Sequence, residues 1–386
     1  MSKSAPATIA IDARKVRDFG IGTYIRNLVF ELSRLGSEHH YILLVGPVGW
    51  DAFAGLPANF ERLLWRSPCY SARELFTLTP KLLGLKVDLY HATHYVLPFL
   101  LPCRAVVTIH DIIHLLYPEF LPNRFAFLYA ERMIRRALEH GDRILTVSRN
   151  TKSDLERYFA IAGDKIETIY NGIDENFRDP IVPEALPERL RGLGIEPGYV
   201  LFVGNPKPHK NLDNVLKAYA QAVHQQALPQ KLVCVGDRDG LDGRLRLRAE
   251  PLGISDRLIL LGHVDQEVLP AIYQGASLFL YPTLYEGFGL PVVEAMASGV
   301  AVITSSTSAL QEIADGYAHL VNPLDVDGMA KAIAECLNNA QHRADLQRLG
   351  RQRARDFSWK RTAELTLAVY EQVLAGKAAP RKGGAA

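Results

Sequence analysis

Short apolar runs of strand length recur along this chain, each followed by a loop and then a stretch with helical periodicity. That alternation admits little besides parallel sheets with helices on their faces. In the first half the runs are residues 9–11, 41–45, 87–91, 105–109, 144–148 and 166–170. The pattern pauses over residues 179–197, where Pro180, Pro183, Pro187, Pro197, Gly192 and Gly194 concentrate, and this segment reads as an interdomain linker with its lead-in. It restarts at residues 199–203 and continues through 232–235, 258–261, 278–281 and 301–304. At 386 residues the chain exceeds what one core usually supports. The expectation is two α/β domains, residues 1–175 and 176–360, facing each other with a ligand between them. Residues 361–386 should hold the rest of a last helix, from about 360 to 374, and then a disordered Gly, Ala and Lys tail. Residues 47–86 show one helix and little else.

The site is densest in residues 281–300. An apolar run from Ala276 to Tyr281 suits a strand buried on both faces, Pro291 suits the first helical position, and Gly299 closes the helix. Between strand and helix, Gly287 and Gly289 permit backbone approaches that a Cβ would block, so N–H groups at a helix N-terminus face an anion. Glu286 and Glu294 flank this anion site, and a carboxylate repels a phosphate. They should meet hydroxyls instead. A diphosphate with polyols on either side is a nucleotide sugar: one acid takes the sugar hydroxyls, the other the ribose diol.

The run Glu-Gly-Phe-Gly-Leu-Pro-Val-Val-Glu-Ala-Met-Ala-Ser-Gly, which includes Phe288 and Leu290, closely resembles the signature of the retaining glycosyltransferases of family four. The resemblance implies a GT-B fold, two Rossmann-like domains facing across a cleft, the second of them binding the nucleotide sugar. It covers nearly the whole chain and is weakest over residues 47–86. Val-Thr-Ile-His-Asp resembles the family's acceptor-side motif, which implies that His110 and Asp111 lie next to the reacting sugar. The first loop, with Gly20 and Gly22, would face the donor, and the backbone around His263 and Val264 would contact the base. The subgroup most similar by motif comprises bacterial mannosyltransferases and rhamnosyltransferases of surface polysaccharide assembly, with GDP-mannose the first donor and a glycan or lipid-linked acceptor. GDP-rhamnose and UDP-sugars remain alternatives.

In the loop Gly204-Asn205-Pro206-Lys207-Pro208-His209-Lys210, Lys210 is the best phosphate partner. The family usually has arginine where Asn205 stands, which leaves open whether Lys207 supplies a second cation. With Lys210, Glu286, His110 and Asp111 as catalytic candidates, no cofactor and no metal are expected. Asp237-Arg238-Asp239 looks like the metal-binding acids of another glycosyltransferase class, but a polar loop explains it as well. His91, His94 and His114 read as strand-end residues rather than ligands.

Composition excludes other classes. Hydrophobic residues at 48% and charged residues at 22% fit a globular chain, and a net charge of +2 argues against a nucleic-acid partner. Cys69, Cys103, Cys234 and Cys336 lack the paired spacing of zinc or redox sites and read as buried thiols of a reducing cytoplasm. The N-terminus has no apolar signal segment, and no run reaches membrane length. The helix expected over residues 124–140 sets Phe125, Leu128, Tyr129 and Met133 beside Arg124, Arg132, Arg135 and Arg136. It reads first as a core-packing helix, with peripheral contact at the inner membrane surface left open. A glycoside hydrolase would use two carboxylates but needs no anion loop. A dinucleotide oxidoreductase would want a third glycine after its first strand. A silent nucleotide-sugar binder is the non-enzyme alternative.

Overall fold

The structure is a computed structural model that describes residues 5–236 and 245–376. The chain forms two compact units: one ends at Gly172 and takes up the chain again at Trp359, and the other is Ile173–Ser358. The first holds β1 (Thr8–Asp12), β2 (His40–Val45), β3 (Phe60–Leu64), β4 (Leu89–Ala92), β5 (Arg104–Ile109), β6 (Arg143–Thr146) and β7 (Ile166–Thr168). They form one sheet in the order β3-β2-β1-β4-β5-β6-β7, with every pairing parallel. The second holds β8 (Tyr199–Val203), β9 (Leu232–Val235), β10 (Leu258–Gly262), β11 (Ala276–Tyr281), β12 (Val302–Ser305) and β13 (His319–Val321). Its order is β10-β9-β8-β11-β12-β13, again parallel. Strand order reverses between β1 and β4 in one sheet and between β8 and β11 in the other, and such reversals leave a crevice beyond the carboxyl ends of the strands.

The central strands are buried on both faces, which is why they read as unbroken apolar runs. Ile9, Ala10 and Ile11 of β1 have no exposed surface, nor do Leu278, Phe279 and Leu280 of β11. The first helix, Phe19–Arg34, buries Tyr24, Ile25, Leu28, Val29 and Leu32 along one stripe. The last, Trp359–Leu374, packs against it and closes the first unit, with His39 Nε2 lying 2.9 Å from Glu371 Oε1. Among the described residues no helix is long and apolar enough to cross a membrane.

Two buried polar systems fix the first unit. At the β1–β4 reversal the Arg14 guanidinium bonds both Asp12 and Glu74, while Tyr90 donates to Asp12 Oδ2 at 3.0 Å. Burial would push the Asp12 carboxyl up, but Arg14 outweighs it and holds the group well below the usual range. Deeper in, His91 links the Tyr370 hydroxyl at 2.5 Å to Thr108 Oγ1 at 2.8 Å, and Thr108 meets the Tyr24 hydroxyl at 3.0 Å. Burial holds the His91 imidazole down at about 3, so it stays neutral and bridges through one donor and one acceptor.

Several expectations are corrected. The first helix begins at Phe19, not near Tyr24, so Gly20 and Gly22 lie in its first turn rather than in a loop. Gly22 is required there because a Cβ would come 2.4 Å from the Val16 carbonyl oxygen. The proline-rich segment 179–197 lies in the second unit, within the expected residues 176–360, but it is packed there rather than a free linker, with Leu190 and Ile195 buried. The units change at Gly172/Ile173 and Ser358/Trp359, a few residues from the expected 175/176 and 360/361. β3 and β13 did not show in the sequence pattern. Both are edge strands, and only Phe60 of β3 is buried, so it does not run apolar. The expected tail beyond residue 376 and Asp237-Arg238-Asp239 lie outside the described residues.

Replacing Tyr370 by Phe removes the partner of a buried ring nitrogen and should cost about 1–3 kcal/mol. The check is denaturant unfolding: an unchanged midpoint would show that His91 does not need this hydroxyl.

Candidate active site

The β8–β11 reversal brings two loops together. After β8 the chain runs through Asn205 and Lys207 into the turn Pro208–Lys210. After β11 it runs through Pro282 to Gly289 and into the helix Leu290–Ala297. The loops are tied by the Leu284 N–H donating to the His209 carbonyl at 2.8 Å. Asn211, in the left-handed region at φ +60°, donates its amide to the Pro282 carbonyl at 2.9 Å and the Pro323 carbonyl at 2.6 Å. These ties set Lys210 Nζ 2.7 Å from Glu286 Oε1 and 2.7 Å from the Tyr281 hydroxyl, which in turn donates to Glu286 Oε1 at 3.0 Å. Both charged side chains are largely buried, at 16% and 14% exposure, so each needs its partner. On its far side the Glu286 N–H donates to Ser308 Oγ at 3.1 Å.

The helix that follows is turned by Gly289 at φ +101°, where a Cβ would also lie 2.3 Å from Leu310 Cδ2; no other residue fits. Its first residue is Leu290, so Pro291 takes the second position rather than the first. The Phe288 ring packs edge-on to Phe357 at 5.6 Å and is buried, so the side chain serves packing. One turn into the helix, Glu294 Oε2 accepts from the Tyr273 hydroxyl at 2.8 Å. Burial pushes its carboxyl up to about 7; the Tyr273 bond works against that rise, and the negative charge of Asp174 adds to it.

Two family models match the chain: "Glycosyltransferase Family 4" over residues 20–177 and "Glycosyl transferases group 1" over residues 191–353. The chain is 31% identical to the O-antigen chain mannosyltransferase B of Escherichia coli across 73% of this chain and 74% of that protein. This chain is a family 4 glycosyltransferase. It is also 30% identical to the serotype-specific mannosyltransferase WbdA of Escherichia coli, across 71% of this chain but only 34% of that longer protein. Among solved structures, sucrose-phosphate synthase from Thermosynechococcus elongatus superposes with a TM-score of 0.76 at 23% identity, covering 96% of this chain and 100% of that one. The fold is GT-B.

Of the residues expected to serve this glycosyltransferase, the second unit gathers Lys210, Glu286, Gly287 and Gly289 around one helix start, with Glu294 on the helix itself. Lys207 is exposed in the same loop, Asn205 is half-buried before it, and Val264 follows β10 at the sheet edge. In the first unit His110 directly follows β5, its Nε2–H donating to the Thr93 carbonyl at 3.0 Å and its ring edge-on to Tyr24 at 5.0 Å. Burial lowers His110 to about 4, against the pull of that carbonyl, so it is neutral with Nδ1 left as an acceptor. Asp111 accepts the Ile113 N–H at 3.0 Å. Tyr281, Tyr273, Asn211 and Ser308 were missed, because each acts on a residue distant in sequence or conformation and carries no motif of its own.

Glu294 gives the glycosyltransferase a definite pH signature. Its native carboxyl, near 7, holds a proton that the unfolded chain releases near 4.5, so its stabilising contribution is complete below 4.5 and lost as pH rises to 7. Relative to wild type, Glu294→Gln should gain roughly 2 kcal/mol between pH 5 and pH 8. Urea midpoints of the two proteins that run parallel over that range would contradict the assignment.

Proposed function

We propose that this glycosyltransferase moves mannose from GDP-mannose to a hydroxyl of a glycan or lipid-linked glycan in surface polysaccharide or lipopolysaccharide assembly, keeping the anomeric configuration. The observation that carries the reading is the Lys210–Glu286–Tyr281 triangle beside the Gly289-turned helix, with Glu294 on the same helix. A diphosphate at that helix start meets backbone N–H groups and the Lys210 ammonium. As the glycosidic bond breaks, its electron pair passes to the phosphate oxygen, and Lys210 stabilises the charge that collects there. The acceptor hydroxyl attacks from the leaving-group side and yields its proton to a phosphate oxygen. Glu286 accepts hydroxyls of the sugar, and Glu294 accepts the ribose diol, whose donated hydrogen bonds favour the ionised carboxylate. His110 and Asp111 are the candidates on the acceptor side.

The choice of mannose rests on the names of the two bacterial relatives, both mannosyltransferases. The scheme calls for no divalent ion at the diphosphate, because Lys210 and the helix start already meet its charge.

The test is a thermal-shift panel of GDP-mannose, GDP-rhamnose and UDP-glucose in EDTA, followed by single-turnover release of GDP from wild type and Lys210→Ala. GDP-mannose at about 100 times its dissociation constant should stabilise by about 2.7 kcal/mol, and more than the others. Lys210→Ala should slow release far more than it weakens binding. A larger shift with UDP-glucose would replace the donor, and release lost in EDTA but restored by magnesium or manganese would overturn the metal-free scheme. Binding with no release would leave a nucleotide-sugar binder.

A further inference from the structure

Away from the donor loops, the second unit assembles a second set of coordinating side chains. His319 comes from β13, Cys336 from the helix Val326–Asn338 and His342 from the helix Ala340–Ala354. One ligand atom from each lies within 4.8 Å of the other two. His319 Nδ1 and His342 Nε2 are 3.4 Å apart. That is long for a direct hydrogen bond, which runs to about 3.2 Å. It matches the edge of a tetrahedron, since zinc with bonds of about 2.0–2.1 Å holds two nitrogens about 3.3–3.4 Å apart. Cys336 has no exposed surface, whereas both histidines are partly exposed, so an ion has a route in and a sulfur at the closed end.

We propose that His319, Cys336 and His342 form a binding site for a thiophilic divalent cation of the zinc type, distinct from the donor site. Two imidazoles and a thiolate select zinc, cobalt or copper over magnesium and calcium, which prefer oxygen. The metal–sulfur bond forms as the thiol proton passes to solvent, and a water completes four-coordination. Glu335, next to Cys336, acts electrostatically on both His319 and Cys336 and favours a cation. Arg343 opposes it, though its guanidinium is held by the carbonyls of Cys336 and Leu337, both at 2.9 Å. His342 is fixed in the first turn of its helix, where its N–H donates to Asn339 Oδ1 at 3.0 Å. The same helix packs on Leu290–Ala297: a Cβ on Gly350 would meet Met296 at 3.2 Å. An ion here would therefore clamp β13 and the two helices into the layer that backs the donor helix.

The experiment treats the full chain with a chelator, removes it, and titrates with cobalt while recording absorption. One equivalent should bring the visible bands of tetrahedral cobalt and a near-ultraviolet thiolate charge-transfer band. Zinc should displace the cobalt and raise the unfolding midpoint of the apo protein by about 5–10 °C at 100 times its dissociation constant. Cys336→Ser should abolish the charge-transfer band, and His342→Gln should weaken cobalt binding at least tenfold, with circular dichroism confirming both folds. Should Cys336→Ser fail to fold, the partly exposed His342→Gln decides alone. Cobalt bound without a thiolate band, or with an affinity indifferent to His342→Gln, would overturn the proposal.

Discussion

The chemistry of the second unit depends on the pairing of β8 with β11, strands far apart in sequence that crossover connections bring side by side. Because both run parallel, their carboxyl ends release their loops at the same rim. The Asn211 amide and the His209 carbonyl then lock one loop to the other. With the loops locked, Lys210 lies beside Glu286. Burying either charge alone would cost several kcal/mol, so the pair holds itself in place until a ligand competes for it. In the proposed donor complex a diphosphate, which carries more negative charge than one carboxylate, would draw the ammonium away and free Glu286 to accept hydroxyls.

Buried groups of this chain answer pH with opposite signs. In the first unit, His91 and His110 are held neutral by burial, at about 3 and about 4, so their stabilising contribution is present above their ordinary value near 6.5 and is lost as pH falls through the acid range. Glu294 in the second unit works the other way, losing its contribution as pH rises toward 7. The Asp12–Arg14–Glu74 cluster sits at the reversal of the first sheet, and its guanidinium already occupies the place a cation would take between the carboxylates.

The central strands were readable in the sequence because burial on both faces leaves a continuous apolar run, and the helix Leu290–Ala297 because Gly287, Gly289 and Gly299 punctuate it. Edge strands escaped that rule, since β3 buries only Phe60 and β13 is only His319–Val321. The start of the first helix was misplaced because Gly20 and Gly22 argue for a loop, and only the Val16 carbonyl pressed against Gly22 explains a glycine inside a helix. Partners set by tertiary contact left no local trace: Tyr281 on Glu286, Tyr273 on Glu294, and the meeting of His319, Cys336 and His342. Spacing along the chain spoke against a metal at Cys336, and the fold supplies the neighbours that spacing lacked.

Glu286 and Glu294 are proposed to hold different ends of one donor. Calorimetry with free GDP on Glu286→Ala and Glu294→Ala tests it most directly, with circular dichroism confirming that both proteins fold. Losing the proposed ribose contact should weaken GDP in Glu294→Ala by about 1.5–3 kcal/mol, roughly ten- to a hundredfold. Glu286→Ala, with Lys210 left free for the diphosphate, should bind GDP as well as wild type or better. Equal losses of GDP affinity in the two variants would overturn that assignment.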